Sequence, residues 1–365
     1  MDFGLSAEQR LLDESLQRCL EANLPMRRVR EILRGEDASK RDLWRSLVEV
    51  GVPGLLVPVD QGGAGLGVLD AVVAGGALAR AAAPVPFLGT AVMAVVALRE
   101  AEQSTLREDL LRRVASGQAH IGVAANELVS SREGAGVELR DAALFGRCLF
   151  VVDGSGADVF LVAIGEEGIA VVERDAHGLT VGTLSTVDAT RDIVELILDG
   201  VRPTAWLRGS GGGCLVGRVL DAGRLVLAAD ILGCCDRALA MSVAYAKERR
   251  QFGRVIGSFQ AVKHLCAEMA AELEPARALL WYAAYAFDCG LSDASVMAAL
   301  AKSHLAEVGT VLLKTATEVH GGIGFTDEYD LHFFFKRVAL DRQLLGSPDQ
   351  MRERAARLQG WAATS

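Results

Sequence analysis

The sequence predicts a mainly helical α+β protein of three domains: a helical N-terminal domain over 1–117, a middle β-barrel domain over 118–208, and a C-terminal four-helix bundle over 218–365. Three observations predict it. Apolar residues recur at three- and four-residue spacing before position 117 and again after 220, the period of one face of an α-helix. Between these regions the pattern changes to short β-branched runs separated by Gly and Asp. The composition, 5% aromatic with 39 glycines in 365 residues, supplies small side chains over which long helices can cross closely.

In the first domain Leu11, Leu12, Leu16 and Leu20 mark one helix, and Trp44, Leu47, Val48 and Val50 mark another ahead of Gly51. A Pro-opened, Gly-rich loop at 57–65 separates these from helical patterns at 69–78, 91–98 and 104–114. Arg27, Arg28, Arg30 and Arg34, alternating with Glu31 and Glu36, predict a solvated face. At least five strands are expected in the middle domain, at 121–124, 149–152, 159–162, 169–172 and 192–198, with Asp153-Gly154 and Asp199-Gly200 as turn dipeptides. With no helix-length pattern between them, they predict a barrel or sandwich. Long helices follow at 224–247, 258–289 and 292–319, the last with Ser292 as its N-cap, and shorter ones at 331–345 and 349–358. Antiparallel packing of such lengths makes the bundle.

With 51% apolar and 23% charged residues the chain is neither disordered nor a small disulfide scaffold, and 38 Lys+Arg against 47 Asp+Glu, a net −9, offers no basic face to a nucleic acid. The seven cysteines are an odd number without C-x-x-C spacing; they read as buried free thiols of a reducing cytoplasm, with Cys234 and Cys235 in a core. The polar N-terminus has no signal-peptide profile, and the longest plain apolar stretch, 91–98, is far short of the roughly 20 residues of a bilayer span, so a cytoplasmic protein without membrane insertion is expected.

Two strings carry chemistry. One is Glu248-Arg249-Arg250-Gln251-Phe252-Gly253, followed by Phe259-Gln260-Ala261-Val262; the other is Glu318-Val319-His320-Gly321-Gly322-Ile323-Gly324-Phe325. Arg249 at a helix C-terminus offers a planar, permanently charged fork suited to a diphosphate, or else a solvated cation that complements the helix dipole. The glycines bring backbone close to a ligand, or else make a tight inter-helix turn. A histidine such as His320 in this setting is more often a structural hydrogen-bonder than a reacting group.

Together the strings, and the order helices, β-domain, bundle, resemble the acyl-CoA dehydrogenase family over essentially the whole chain. The resemblance implies the acyl-CoA dehydrogenase fold, assembled as a tetramer, and FAD-dependent α,β-dehydrogenation of an acyl-CoA thioester, with an electron-transfer flavoprotein as acceptor. It implies cofactor contacts for Arg249, Gln251, Phe252, Glu318, Gly321 and Gly322, directed at the FAD of a neighbouring subunit. Ser347 matches a hydroxyl able to bind adenosine or phosphate, or else serves as the N-cap of the helix that starts at Pro348. No metal site is implied.

The same resemblance exposes losses. The two positions at which the family places its catalytic glutamate hold Leu345 and Gly223, and neither can take a proton, so the catalytic base is unknown. Asn126-Glu127-Leu128-Val129 stands for a T-E-P-G string, Phe150 and Val152 for a ring-flanking Trp and Thr or Ser, and Glu318 for a Gln. Contacts to a partner's flavin are largely kept and those to the chain's own are largely lost. That asymmetry implies one subunit type of a heterotetramer, such as occurs among steroid-degrading actinobacterial members. The alternatives are a homotetrameric dehydrogenase with a displaced base, Asp341 or Asp349, a flavin-dependent monooxygenase on the same scaffold, and a cofactor-free structural protein. Gly223 and Leu345 would leave a roomy site if it bound substrate.

Overall fold

In the computed structural model, which describes residues 4–35, 40–129, 132–165, 168–210 and 214–361, Ser6 caps the first helix by accepting from the Gln9 N–H, and Gln9 accepts from Ser6 in return. That helix, α1 (Ala7–Asn23), is followed by α2 (Met26–Leu33), α3 (Lys40–Glu49), α4 (Val68–Arg80), α5 (Val95–Glu100) and α6 (Thr105–Ala115). A fully buried π-helical stretch, Phe87–Ala94, leads into α5. The arginine face is not uniformly solvated: Arg30 reaches Asp330 at 2.8 Å and the Asp327 carbonyl at 2.6 Å, and lies 4.9 Å from the centre of the Phe333 ring. A long guanidinium stem can cover apolar surface while its head ties two distant segments together. Glu36 lies outside the described residues.

Among the described residues the middle domain has eight strands: β1 (Ile121–Ala124), β2 (Gly136–Arg140), β3 (Ala143–Val152), β4 (Val159–Ile164), β5 (Gly168–Glu173), β6 (Leu179–Thr183), β7 (Ile193–Val201) and β8 (Ala205–Leu207). Their order is β6-β7-β3-β1-β4-β5-β8, with β2 beside β3, and β1–β4 is the parallel pair. β6 and β8, at the two ends of this order, have one neighbour each among the described strands, and the middle β-domain stands between the helical domains as expected. One face encloses Leu144, Cys148, Phe160, Val172 and Leu196, while Ile121, Val123, Leu161 and Val171 join the helical core. Burial on both faces is why β1, β4 and β5 read as continuous apolar runs rather than alternating ones.

The C-terminal domain consists of α7 (Leu215–Glu248), a hairpin of β9 (Arg250–Gln251) and β10 (Arg254–Val255), α8 (Gln260–Asp288), α9 (Ala294–His320), α10 (Leu331–Asp341) and α11 (Pro348–Leu358). Small residues set the helix crossings: a Cβ added at Gly233 of α7 would stand 2.3 Å from the Gly76 carbonyl of α4. The cap of α9 is Asp293, not Ser292, and its carboxylate accepts from the Tyr282 hydroxyl at 2.9 Å rather than from the helix. α10 stops at Asp341, four residues earlier than expected, and Leu345 that follows takes the left-handed φ of +55°. α9 is long and apolar enough to cross a bilayer, yet 61% of that window is buried in this fold. Cys148, Cys234 and Cys235 are buried, but Cys214 and Cys289 are exposed because they flank helix ends; Cys214 caps α7, its Sγ accepting from the Gly217 N–H at 3.3 Å.

Candidate functional site

Arg249 closes α7, its N–H donating to the Tyr245 carbonyl at 2.8 Å and its carbonyl accepting from Ile256 at 2.7 Å. Its side chain is exposed and makes no ion pair among the described residues. The hairpin beyond it lifts Phe252, φ +52° and 91% exposed, edge-on to Phe259, over which Arg254 lies at 3.9 Å. One turn back from Arg249, the Tyr245 ring packs 4.8 Å from the His320 ring and so joins the end of α7 to the end of α9. His320 donates or accepts on both sides, Nδ1 with the Ala316 carbonyl at 2.7 Å and Nε2 with the Tyr329 hydroxyl at 3.0 Å, and burial lowers its pKa. Both ring nitrogens are thus engaged within the fold. Immediately beyond it Gly321, φ +63°, and Gly322 border open space, with Phe325 80% exposed. Arg249, Gln251, Phe252, Glu318, Gly321 and Gly322 thus meet at one end of the bundle and face outward.

Ser347 does not join them. Its hydroxyl caps α11 by accepting from the Gln350 N–H, and Gln350 reaches the Val129 carbonyl at 3.3 Å. It belongs with Leu345 and Gly223, and Gly223 lies 26 residues before Arg249 on the same helix, about 39 Å away at a rise of 1.5 Å per residue.

That second location is filled, not roomy. Leu345 is 2% exposed; a Cβ added at Gly223 would stand 2.6 Å from Leu345 Cδ1 and 2.9 Å from the sulfur of Met93, which the π-helical stretch delivers. Both backbone groups of Leu345 are held by side chains: its N–H donates to Asn126 Oδ1 at 3.0 Å, and its carbonyl accepts from Arg224 Nε at 3.0 Å. The Asn126 amide nitrogen is buried without an acceptor among the described residues. Val152 is buried, and the guanidinium of Arg132 lies 4.6 Å from the centre of the Phe150 ring. Met93, Arg224 and Arg132 were missed from sequence; an arginine set between Gly223 and the apolar run 225–229 of α7 was the available signal for Arg224.

Neither acidic candidate for a displaced base is suited to that role. Asp341 is 0% exposed and paired with Arg191 at 3.0 Å. Its carboxyl sits well above the usual range because burial and the charge of Asp230 outweigh Arg191. Asp230 itself, although burial opposes it, is held well below that range by Arg191 and Arg337. Asp349 is a surface residue paired with Arg352 at 2.6 Å. Lys302, 0% exposed, donates to the carbonyls of Asp341 at 2.7 Å, Arg342 at 3.3 Å and Gly346 at 3.5 Å, and burial pushes its pKa down to about 7 against the pull of Asp341. The loop that carries Leu345 is thereby anchored from below.

Residues 6–118 match the family described as acyl-CoA dehydrogenase, N-terminal domain, and residues 210–359 match acyl-CoA dehydrogenase, C-terminal domain. Acyl-CoA dehydrogenase IpdE2 of Mycolicibacterium smegmatis is 33% identical over 97% of this chain and 99% of its own length. Among solved structures, the ChsE4-ChsE5 complex from Mycobacterium tuberculosis has a chain 28% identical with a TM-score of 0.90, covering 100% of both chains. A Tcur3481-Tcur3483 steroid ACAD variant has one 30% identical with a TM-score of 0.87, over 97% of this chain and 98% of that one. The chain therefore belongs to the acyl-CoA dehydrogenase family, flavoprotein oxidoreductases that act on acyl-CoA.

Proposed function

We propose that this chain is one subunit type of a heterotetrameric acyl-CoA dehydrogenase, which completes a flavin site in its partner and does not run the reaction in its own pocket. The observation that carries the reading is Leu345, packed on Gly223 and Met93 and clamped by Asn126 and Arg224 at the position where a base would stand. Two environments test the fit of FAD. At the end of the bundle, the unpaired Arg249 fork, the open backbone of Gly321 and Gly322, and the exposed ring of Phe252 suit a diphosphate and its attached heterocycles. At Asn126, Phe150 and Val152, the amide oxygen of Asn126 is spent on Leu345, Val152 offers no polar group and Arg132 covers the Phe150 ring, so this side is the poorer fit for flavin.

FAD, when bound, supplies the acceptor for the hydride from the acyl β-carbon. In this reading Arg249 neutralises its diphosphate, Gly321 and Gly322 let it approach the backbone, and the α-proton goes to a base on the partner. The ChsE4-ChsE5 structure is of two different chains, and the steroid ACAD names a bulky ring acyl group, which supports a heteromer with a large substrate here. An electron-transfer flavoprotein is the acceptor in this proposal; a chain in a solved structure titled for such a flavoprotein is 26% identical. The monooxygenase alternative gains one observation, Arg132 over Phe150, but the pocket beside it is crowded by Leu345 and Met93.

The test is the visible spectrum of the purified chain, alone and co-expressed with a homologous subunit. Little flavin alone and flavin in the complex is expected, and Arg249→Ala should lower flavin per complex while leaving the unfolding temperature of the subunit unchanged. Stoichiometric FAD that bleaches with substrate in the lone chain would overturn the proposal.

A further inference from the structure

The hairpin that follows α7 carries a second unpaired cation beside Arg249. Its strands pair Gln251 with Arg254 and Arg250 with Val255, and the Ile256 N–H extends the ladder to the Arg249 carbonyl at 2.7 Å. Side chains alternate along a strand and match across the pair, so Arg249, Gln251 and Arg254 fall on one face, and Arg250 and Val255 on the other. Arg249 and Arg254 are diagonal neighbours on that face, about 7–8 Å apart at the backbone. The turn fixes the arrangement. Phe252, φ +52°, and Gly253, φ +78°, are its two central residues, and left-handed backbone at both makes a type I′ turn, the form that matches the twist of the strands. Phe252 takes a place that favours Asn, Asp or Gly, a local strain kept at a ring 91% exposed. The Arg254 guanidinium lies 3.9 Å from the centre of the Phe259 ring, which Phe252 meets edge-on at 6.2 Å. Stacking fixes the plane of the guanidinium and leaves its N–H edge free, so less rotamer freedom remains to be lost when an anion binds. Neither Arg254 nor Arg249 has an ion pair or a side-chain hydrogen bond among the described residues.

Each phosphate of an FAD diphosphate carries a negative charge, and Arg249 answers only one of them. Glu318, exposed and without an ion pair among the described residues, brings a further negative charge to the same end of the bundle. We propose that Arg254 is the second diphosphate-binding residue of the flavin site that this chain completes in its partner, a role that rests on FAD lying at this end of the bundle as read above. The Phe259 ring holds its fork ready, and the shared hairpin face sets it beside Arg249 so that each arginine meets one phosphate.

Titration of the flavin-free complex of this chain and a homologous subunit with FAD, followed by flavin fluorescence, tests it. Arg254→Gln should weaken FAD about tenfold or more, the loss of a charge-assisted hydrogen bond. Arg254→Lys keeps the charge without the stacked fork, and Phe259→Leu keeps the fork without its platform; each should weaken FAD several-fold. The phosphorus NMR resonances of bound FAD should move in Arg254→Lys, which a cation that only steadies the hairpin would not cause. An unchanged unfolding temperature and elution volume are expected of all three variants. Unchanged FAD affinity and unmoved phosphorus resonances in the Arg254 variants, with flavin still lowered by Arg249→Ala, would overturn the proposal and leave the flavin reading standing. Loss of the complex itself in Arg254→Lys would also overturn it, by making Arg254 a residue of subunit contact. A parent complex that takes up no FAD would overturn both.

Discussion

Leu345 holds a left-handed backbone, φ +55°, that costs a side-chain-bearing residue about 1–2 kcal/mol, and the packing of Met93, Gly223 and its two polar clamps keeps it there. Gly223→Ala should destabilise by about 1–3 kcal/mol through overpacking, and Leu345→Ala by about 2–5 kcal/mol through the cavity it leaves. Because the new Cβ would occupy that cavity, the double variant should cost less than the sum by more than about 0.5 kcal/mol, as read by chemical denaturation. Additive costs would show that the two residues do not share a pocket. Asp153 makes a second residue-scale prediction. Its carboxyl is raised to about 7 by burial, so the folded state binds this proton more tightly than the unfolded chain does, and stability falls as pH rises from about 4 to about 7. Asp153→Asn, which still accepts from Gly89 and Thr90, should flatten that slope in urea unfolding between these pH values.

Elements were legible where their burial was simple. β1, β4 and β5, covered on both faces, stood out as apolar runs; β2, alternating with exposed ends, β6, largely unburied, and the three-residue β8 did not. The two ends of α7 belong to different sites, a division its uniform apolar pattern gave no hint of, because a helix buried along most of its length has no single solvent face to mark. The start of α4 has a similar hidden dependence. Its N-cap is Gly67, and Asp288, at the end of α8, supplies the missing acceptor to the N–H groups of Val68 at 2.7 Å and Leu69 at 2.9 Å. Asp288→Ala should therefore cost about 1–2 kcal/mol, as for loss of a helix cap, measurable as a lowered thermal midpoint; an unchanged midpoint would show that water replaces the cap.

Across the whole molecule, Arg337 joins three domains at one point. Its guanidinium donates to Asp230 of α7 at 2.7 and 2.8 Å, to Thr190 of the β-domain at 2.9 Å and to the Ala83 carbonyl of the N-terminal domain at 3.1 Å. Arg191 adds a bond to Asp230 at 2.7 Å and two to Asp341 at 3.0 Å. Asp230→Asn leaves two buried arginines short of charge and should destabilise by about 3–5 kcal/mol. The folded-state pKa of Asp230 is depressed, so its contribution is present above the ordinary carboxylate pKa and lost as pH falls. The variant should accordingly lose less stability than the parent on acidification. Equal acid sensitivity of the two would place the acid-labile group elsewhere.

The sequence by itself determined the three-part architecture and the outward-facing motif, because periodicity and a string such as Glu248–Gly253 are local properties that survive without knowledge of neighbours. It also named Leu345 and Gly223 as positions without a base. Only the tertiary structure decided what surrounds these two positions. Met93, Asn126, Arg224 and Leu345 come from four distant segments, and their convergence turns an expected empty pocket into a packed one. The same holds for Asp341, a plausible acid in sequence that proves to be half of an ion network, since a carboxylate's role is set by the charges brought against it.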